Sequence, residues 1–219
     1  MSDLRDELQP HRAEREALCN LLLASGPDAP TLCEGWATRD LVVHLVIRER
    51  NPLAAPGILF GGPFAQVLHI ATNRMKRRPY RDLVETLRSG PPLWLRPLDR
   101  VMNLTEFYVH HEDIRRGGGD TTSRPETETV ALDDGLWRIL GRMERLLTRS
   151  LGPIGLDLRR PDGTVRTARP AGANSPTAIL SGRPSELVLY LMGRQSAAHV
   201  EFEGLQAAVD AVRVAKFGL

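Results

Sequence analysis

One stretch constrains this chain more than any other: Asn103-Leu104-Thr105-Glu106-Phe107-Tyr108-Val109-His110-His111-Glu112-Asp113-Ile114-Arg115-Arg116. It contains no Pro or Gly and runs straight into Gly117-Gly118-Gly119. It therefore reads as one helix, from an N-cap near Asp99 to the glycines that stop it. Glu106 and His110 are four residues apart, which places them one above the other on a single helix face. A carboxylate oxygen and an imidazole nitrogen side by side on a stiff element make half of a divalent-metal site. His111 is turned away by about 100° and does not share that ion while the helix stays regular. Asp113 is either a further ligand or a carboxylate that supports one. Glu112, Arg115 and Arg116 read as surface groups. The plainer alternative is an exposed ion pair worth about 0.2–0.5 kcal/mol. Glu-x-x-x-His is also far less specific than His-Glu-x-x-His, which this chain lacks.

The missing ligand has to come from a second element. Thr38 reads as an N-cap with Asp40 in the first turn of a helix over 39–50. In that helix His44 lies among Leu41, Val42, Val43, Leu45, Val46 and Ile47. A lone histidine in an apolar helix is usually packed and hydrogen-bonded, but the Glu106/His110 pair makes His44 the candidate third ligand. Just upstream, Gly35-Trp36 suggests a tight turn with a large side chain over it. Helical spacing also appears over 3–24 (Leu4, Leu8, Leu18, Leu21, Leu22, with Pro10 as a bend or the true start), 64–75, 80–88 and 133–150. The Pro- and Gly-rich loop 51–63 is too apolar for a solvated linker and reads as a cover over the core or the rim of a pocket. Trp94 sits in a Pro-bounded segment before the key helix.

After residue 151 the period changes. Residues 154–159 and 164–169 alternate around Asp162-Gly163, a hairpin signal. A short strand at 177–180, a helix capped by Ser185, a strand near 199–202 and a helix over 205–214 follow. The expected architecture is mainly α: a four-helix bundle over 1–151 and a small α+β domain over 152–219.

Composition excludes several classes. The apolar fraction of 42% supports a core, and the net charge is only +2. Of the 29 basic residues 27 are Arg, yet no basic helix or aromatic-interleaved basic strand points to nucleic acid. The cluster Arg74-Met75-Lys76-Arg77-Arg78 is a solvated helix end or an anion contact. No apolar run reaches membrane length, and the charged N-terminus is unlike a signal peptide, so a cytoplasmic location is expected. Cys19 and Cys33 are expected as thiols, Cys19 buried in an apolar run. Bundles with apolar outer stripes often pair, so a homodimer is expected too.

A His/Glu/His set leaves open positions on a divalent ion, the arrangement of catalytic rather than structural zinc. Water or a thiol can fill them, and the residues do not choose between hydrolysis and thiol activation. Arg194 and Arg183 are candidate carboxylate-binding groups.

The run Leu32-Cys33-Glu34-Gly35-Trp36-Ala37-Thr38-Arg39-Asp40-Leu41-Val42-Val43-His44-Leu45, together with Glu106-Phe107-Tyr108-Val109-His110-His111-Glu112-Asp113, resembles the actinobacterial mycothiol-dependent maleylpyruvate isomerase family of DinB-like metal-binding bundles. Within it the chain is most similar to an uncharacterised metal-binding branch. The resemblance implies metal ligation by His44, Glu106 and His110, usually to zinc, with water or the mycothiol sulfur completing the shell. It implies a thiolate that adds to a cis double bond and leaves after rotation, or that is transferred between small molecules. Arg194, in Met192-Gly193-Arg194, resembles the family's essential arginine. The partners implied are a small thiol and a small organic substrate, with no nucleic acid or membrane. Two further readings stay open: a metal-binding or stress-related protein without turnover, and a metal-dependent hydrolase.

Overall fold

In the computed structural model the described residues are 10–51, 64–92 and 96–218. The expected turns over 3–9, the loop 52–63 and Trp94 lie outside them. The chain forms two compact units, 1–121 and 122–219.

The first unit is helical: α1 (Pro10–Ser25), α2 (Thr38–Arg50), α3 (Phe64–Lys76), α4 (Tyr80–Arg88) and α5 (Arg96–Gly117). Leu41, Val42, Val43, Leu45, Val46 and Ile47 of α2 are each at most 1% exposed. The apolar residues in the middle of this helix leave little polar surface there, so that part belongs in a core, and α2 packs against α1, α3 and α4. Leu18 and Leu22 of α1, Leu83, Val84 and Leu87 of α4, and Phe107 and Ile114 of α5 complete this core. The structure moves two expected helix starts. Thr38 is the first residue of α2 rather than its cap, and its hydroxyl donates to Gly26 O. The Asp40 carboxylate instead accepts the Ala37 N–H at 3.1 Å, covering one of the free donors at the helix start. In α5 the helix begins at Arg96, ahead of the expected cap at Asp99.

A buried polar chain crosses this core. Arg15 of α1 pairs with Glu49 of α2 at 2.6 Å, and Asn103 Nδ2 of α5 donates to the same Glu49 oxygen at 2.9 Å. Losing one partner of a buried pair costs about 3–5 kcal/mol, because the other charge is stranded. The chain therefore fixes the register of α1, α2 and α5 beside the site.

The second unit begins with α6 (Glu126–Leu147), followed by a 3-10 turn over Arg149–Leu151. Pro125, with φ fixed by its ring, and acidic Glu126 and Glu128 start α6 ahead of the helical spacing read over 133–150. The helix packs with this unit, against α7 (Pro184–Leu191) and strand β2, whereas the sequence reading placed it in the bundle. The strands are β1 (Gly155–Arg159), β2 (Val165–Arg169), β3 (Thr177–Ser181) and β4 (Glu201–Gly204), in the order β2-β1-β3-β4. The β1/β2 hairpin is antiparallel as its alternation predicts; β1 and β3 are parallel, β3 and β4 antiparallel. Helix α8 (Gln206–Val214) packs on β3 and β4. Ser185, expected as a cap, lies inside α7; its backbone N–H donates to Asp133 Oδ1 at 2.8 Å. The fold is thus mainly α with a C-terminal α+β part. Among the described residues no helix is long and apolar enough to cross a membrane.

Candidate metal centre

The site stands between α2 and α5, both held by the core just described. Glu106 and His110 stack one turn apart on α5, with His110 Nε2 at 3.5 Å from Glu106 Oε2. His44 of α2 brings its Nε2 to 3.9 Å from the same oxygen. The His44 and His110 rings meet edge to face, with centroids 5.2 Å apart. One ligand atom from each of the three lies within 4.8 Å of the others. A tetrahedron with metal–ligand bonds of about 2.1 Å has edges of about 3.4 Å, so these separations suit one small divalent ion. Two imidazoles and a carboxylate are also the donor set such an ion prefers.

The protonation states favour this use. Burial alone would raise the Glu106 pKa, but hydrogen bonds with His110 and His44 and the nearby Arg48 charge hold it well below the usual carboxylate range. Burial pushes His44 down, partly offset by Glu106, so its ring is neutral and a lone pair is available. For His110 burial works downward, but hydrogen bonds with Asp113, Cys33 and Glu106 outweigh it and hold the pKa well above the ordinary value. An ion entering the site must displace that proton.

Three residues not assigned a definite role from sequence complete the surroundings. Arg48, one turn after His44, has Nε at 3.6 Å from Glu106 Oε2. Its signal is the i,i+4 spacing from His44, which puts the two on one helix face. Asp113 Oδ2 lies 2.9 Å from His110 Nδ1, which makes it a support for that ring. Cys33 Sγ donates to the same Asp113 oxygen at 3.2 Å. Nothing in the spacing of residues 33 and 113 could reveal this.

The loop bearing Cys33 is docked on α5. Leu32 N–H donates to Asp113 O at 2.9 Å. A Cβ at Gly117 would sit 2.5 Å from Thr31 Cα, so only glycine permits the approach. The Gly35-Trp36 turn forms as expected: Gly35 has φ +75° and Trp36 N–H donates to Cys33 O. Trp36 then lies over His44, with ring centroids 5.3 Å apart. Beside them is a cavity of about 430 Å³ lined by Trp36, Val43, His44, Ile47, Leu68 and Thr72, with the Asp40–Lys76 ion pair at its wall. Lys76 of the basic cluster pairs with Asp40 at 2.5 Å while its side chain stays exposed, as Arg74 and Arg77 do, so the cluster is a solvated helix end with one ion pair.

Other expectations turn out differently. Glu112 is fully buried and Arg116 is 4% exposed, so they are not surface groups. Glu112 accepts from Arg115 and Arg116 at 2.7 and 2.6 Å, and this neutralised cluster is what lets that face of α5 be covered. His111, turned from the site as expected, has Nδ1 at 2.8 Å from Glu14 Oε1 of α1. In the second unit Arg183 is committed to Asp133, Thr129 and the Arg124 carbonyl, a structural role that opposes its use for a substrate. Arg194 follows α7, and its guanidinium donates to Met192 O at 2.7 Å.

The architecture and the converging ligands define a mainly α chain whose helical unit carries a candidate divalent-metal centre. No protein-family model matches the chain, and no curated protein does. Among solved structures it is similar to the mycothiol-dependent maleylpyruvate isomerase, at 18% identity and a TM-score of 0.57. It is likewise similar to a His-to-Ala mutant of that enzyme, at 16% identity and a TM-score of 0.58. Each match covers 91% of this chain and 92% of the other. The likeness establishes the shared fold.

Proposed function

We propose that the chain binds a divalent metal, zinc, through His44, Glu106 and His110, and acts with mycothiol as an isomerase or thiol transferase on a small organic substrate. The observation that carries this reading is the meeting of three ligand atoms from α2 and α5 within 4.8 Å. The ion's chemistry there is to lower the pKa of a thiol or water completing its shell, giving a nucleophile at neutral pH. The protein's own groups do the rest. Glu106 is kept ionised, His44 is kept neutral, and Asp113 holds the His110 ring. The apolar cavity beside His44 has room for a small organic molecule next to the ion, which favours turnover over storage. The likeness to the mycothiol-dependent maleylpyruvate isomerase supports a short cis-unsaturated acid such as maleylpyruvate as the proposed substrate. Arg194 is proposed as the group that binds the substrate carboxylate.

The test is metal content and zinc affinity of the purified protein with and without His44→Ala. Wild type should hold one equivalent and the variant should lose it; stoichiometric zinc retained in the variant would sink the ligand assignment. Zinc-loaded protein should then isomerise maleylpyruvate with mycothiol and not without it. Arg194→Lys should lower that turnover while leaving the zinc content unchanged.

A further inference from the structure

We infer that Cys33 and Asp113 form a positioning pair for His110, in which one carboxylate oxygen takes hydrogen bonds from the His110 ring and from the Cys33 thiol and so fixes which ring nitrogen faces Glu106. Asp113 is fully buried, so its carboxylate must be met by donors. Its Oδ2 lies 2.9 Å from His110 Nδ1 and 3.2 Å from Cys33 Sγ. A carboxylate oxygen has lone pairs for both. With Nδ1–H committed to Asp113, the free lone pair of a neutral ring is on Nε2, the atom 3.5 Å from Glu106. Supporting partners of this kind orient a ligand and set its basicity.

The thiol is delivered by the backbone. Asp113 O accepts Leu32 N–H at 2.9 Å, so the residue that holds the imidazole also docks the loop carrying the thiol. Gly117 allows Thr31 to lie against α5 one turn later. Cys33 is half-buried at the edge of this contact. It therefore ties the order of the 31–36 loop, and of Trp36 over His44, to the orientation of His110. The consequence for metal affinity rests on the metal reading above; the orientation of the ring does not.

The experiment has two readouts. In metal-free protein at alkaline pH, imidazole ¹⁵N shifts report the His110 tautomer. Wild type should show Nδ1–H, Cys33→Ser should keep it, Cys33→Ala should shift part of the population to Nε2–H, and Asp113→Ala should remove the preference. With Co²⁺ as the probe, Asp113→Ala should weaken binding by about 10–100-fold, Cys33→Ala by less, and Cys33→Ser should restore it. Should Asp113→Ala not fold, the Cys33 variants on the loop carry the test. A wild-type Nε2–H tautomer, or a tautomer indifferent to Cys33→Ala, overturns the inference. So does a thiolate-to-cobalt charge-transfer band that disappears in Cys33→Ala, since Cys33 would then be a ligand. If wild type takes up no cobalt while the tautomer pattern holds, the metal reading fails and the positioning pair stands.

Discussion

Arg48 Nε lies 3.6 Å from Glu106 Oε2, the same oxygen that faces His44 and His110. One carboxylate oxygen is thus shared by two imidazoles and a guanidinium. In the metal-free protein the cation compensates the buried carboxylate; toward a divalent ion it is a repulsive neighbour. The expected outcome for Arg48→Met is tighter zinc binding at neutral pH, by about tenfold or about 1.4 kcal/mol. The metal-free protein should at the same time lose about 1–3 kcal/mol of stability. Isothermal titration and chemical denaturation measure the two effects, and weaker binding in the variant would contradict the assignment.

Metal binding should release protons. His110 is held above its ordinary pKa and His44 below it, so near pH 7 His110 alone of the two carries a proton to displace. About one proton should be released per ion at pH 7, falling toward zero above the raised pKa. Affinity should therefore rise with pH until His110 is deprotonated. The stability of the metal-free protein follows the signs. The raised His110 contributes stability below its unfolded pKa and loses it as pH rises through the folded value. The depressed Glu106 and His44 contribute above their unfolded values and lose it as pH falls. Titration in buffers of different ionisation enthalpy reads the proton count.

The two cysteines should differ in reactivity. Burial pushes the Cys19 thiol up to about 12, whereas Cys33 is half-buried. Because thiolate is the nucleophile, iodoacetamide at pH 8 should label Cys33 at least about a hundredfold faster than Cys19 in folded protein. Peptide mapping after a timed quench gives the ratio. Equal labelling would mean the α1 core is open.

Gly117→Ala should be costly despite its place at a helix end. The new Cβ would meet Thr31 Cα and C at 2.5 and 2.6 Å, backbone atoms that cannot rotate away. The expected loss is about 1–3 kcal/mol, as for overpacking. The displaced loop should also carry Cys33 away from Asp113, so Cys33 labelling should rate differently in this variant. Gly118→Ala, whose Cβ would meet only 3.3 Å contacts, is the control.

Much of the fold was legible because helices and hairpins announce themselves in local periodicity. The spans 64–75 and 80–88 fall within a residue of α3 and α4. The Glu106/His110 pair was legible for the same reason, since a four-residue spacing fixes a shared face. Where a local signal met a stronger local partner, the reading slipped. Asp40 took the capping role expected of Thr38, and Pro125 began α6 early. Glu112 looked like a surface acid because sequence does not show that Arg115 and Arg116 close over it in the fold.

The sequence by itself determined the helices, the hairpin and half of the candidate metal site, because each depends on residues within a turn or two of one another. The tertiary structure decided what only long-range packing can bring together. His44 meets Glu106 because the apolar α2 is driven into the core beside α5. Cys33 reaches Asp113 because Gly117 lets the loop lie on the helix. Arg48 faces the carboxylate because the buried Arg15–Glu49–Asn103 chain sets the register of three helices. Contacts across sixty or eighty residues carry no spacing to read; burial and the pairing of polar groups fix them.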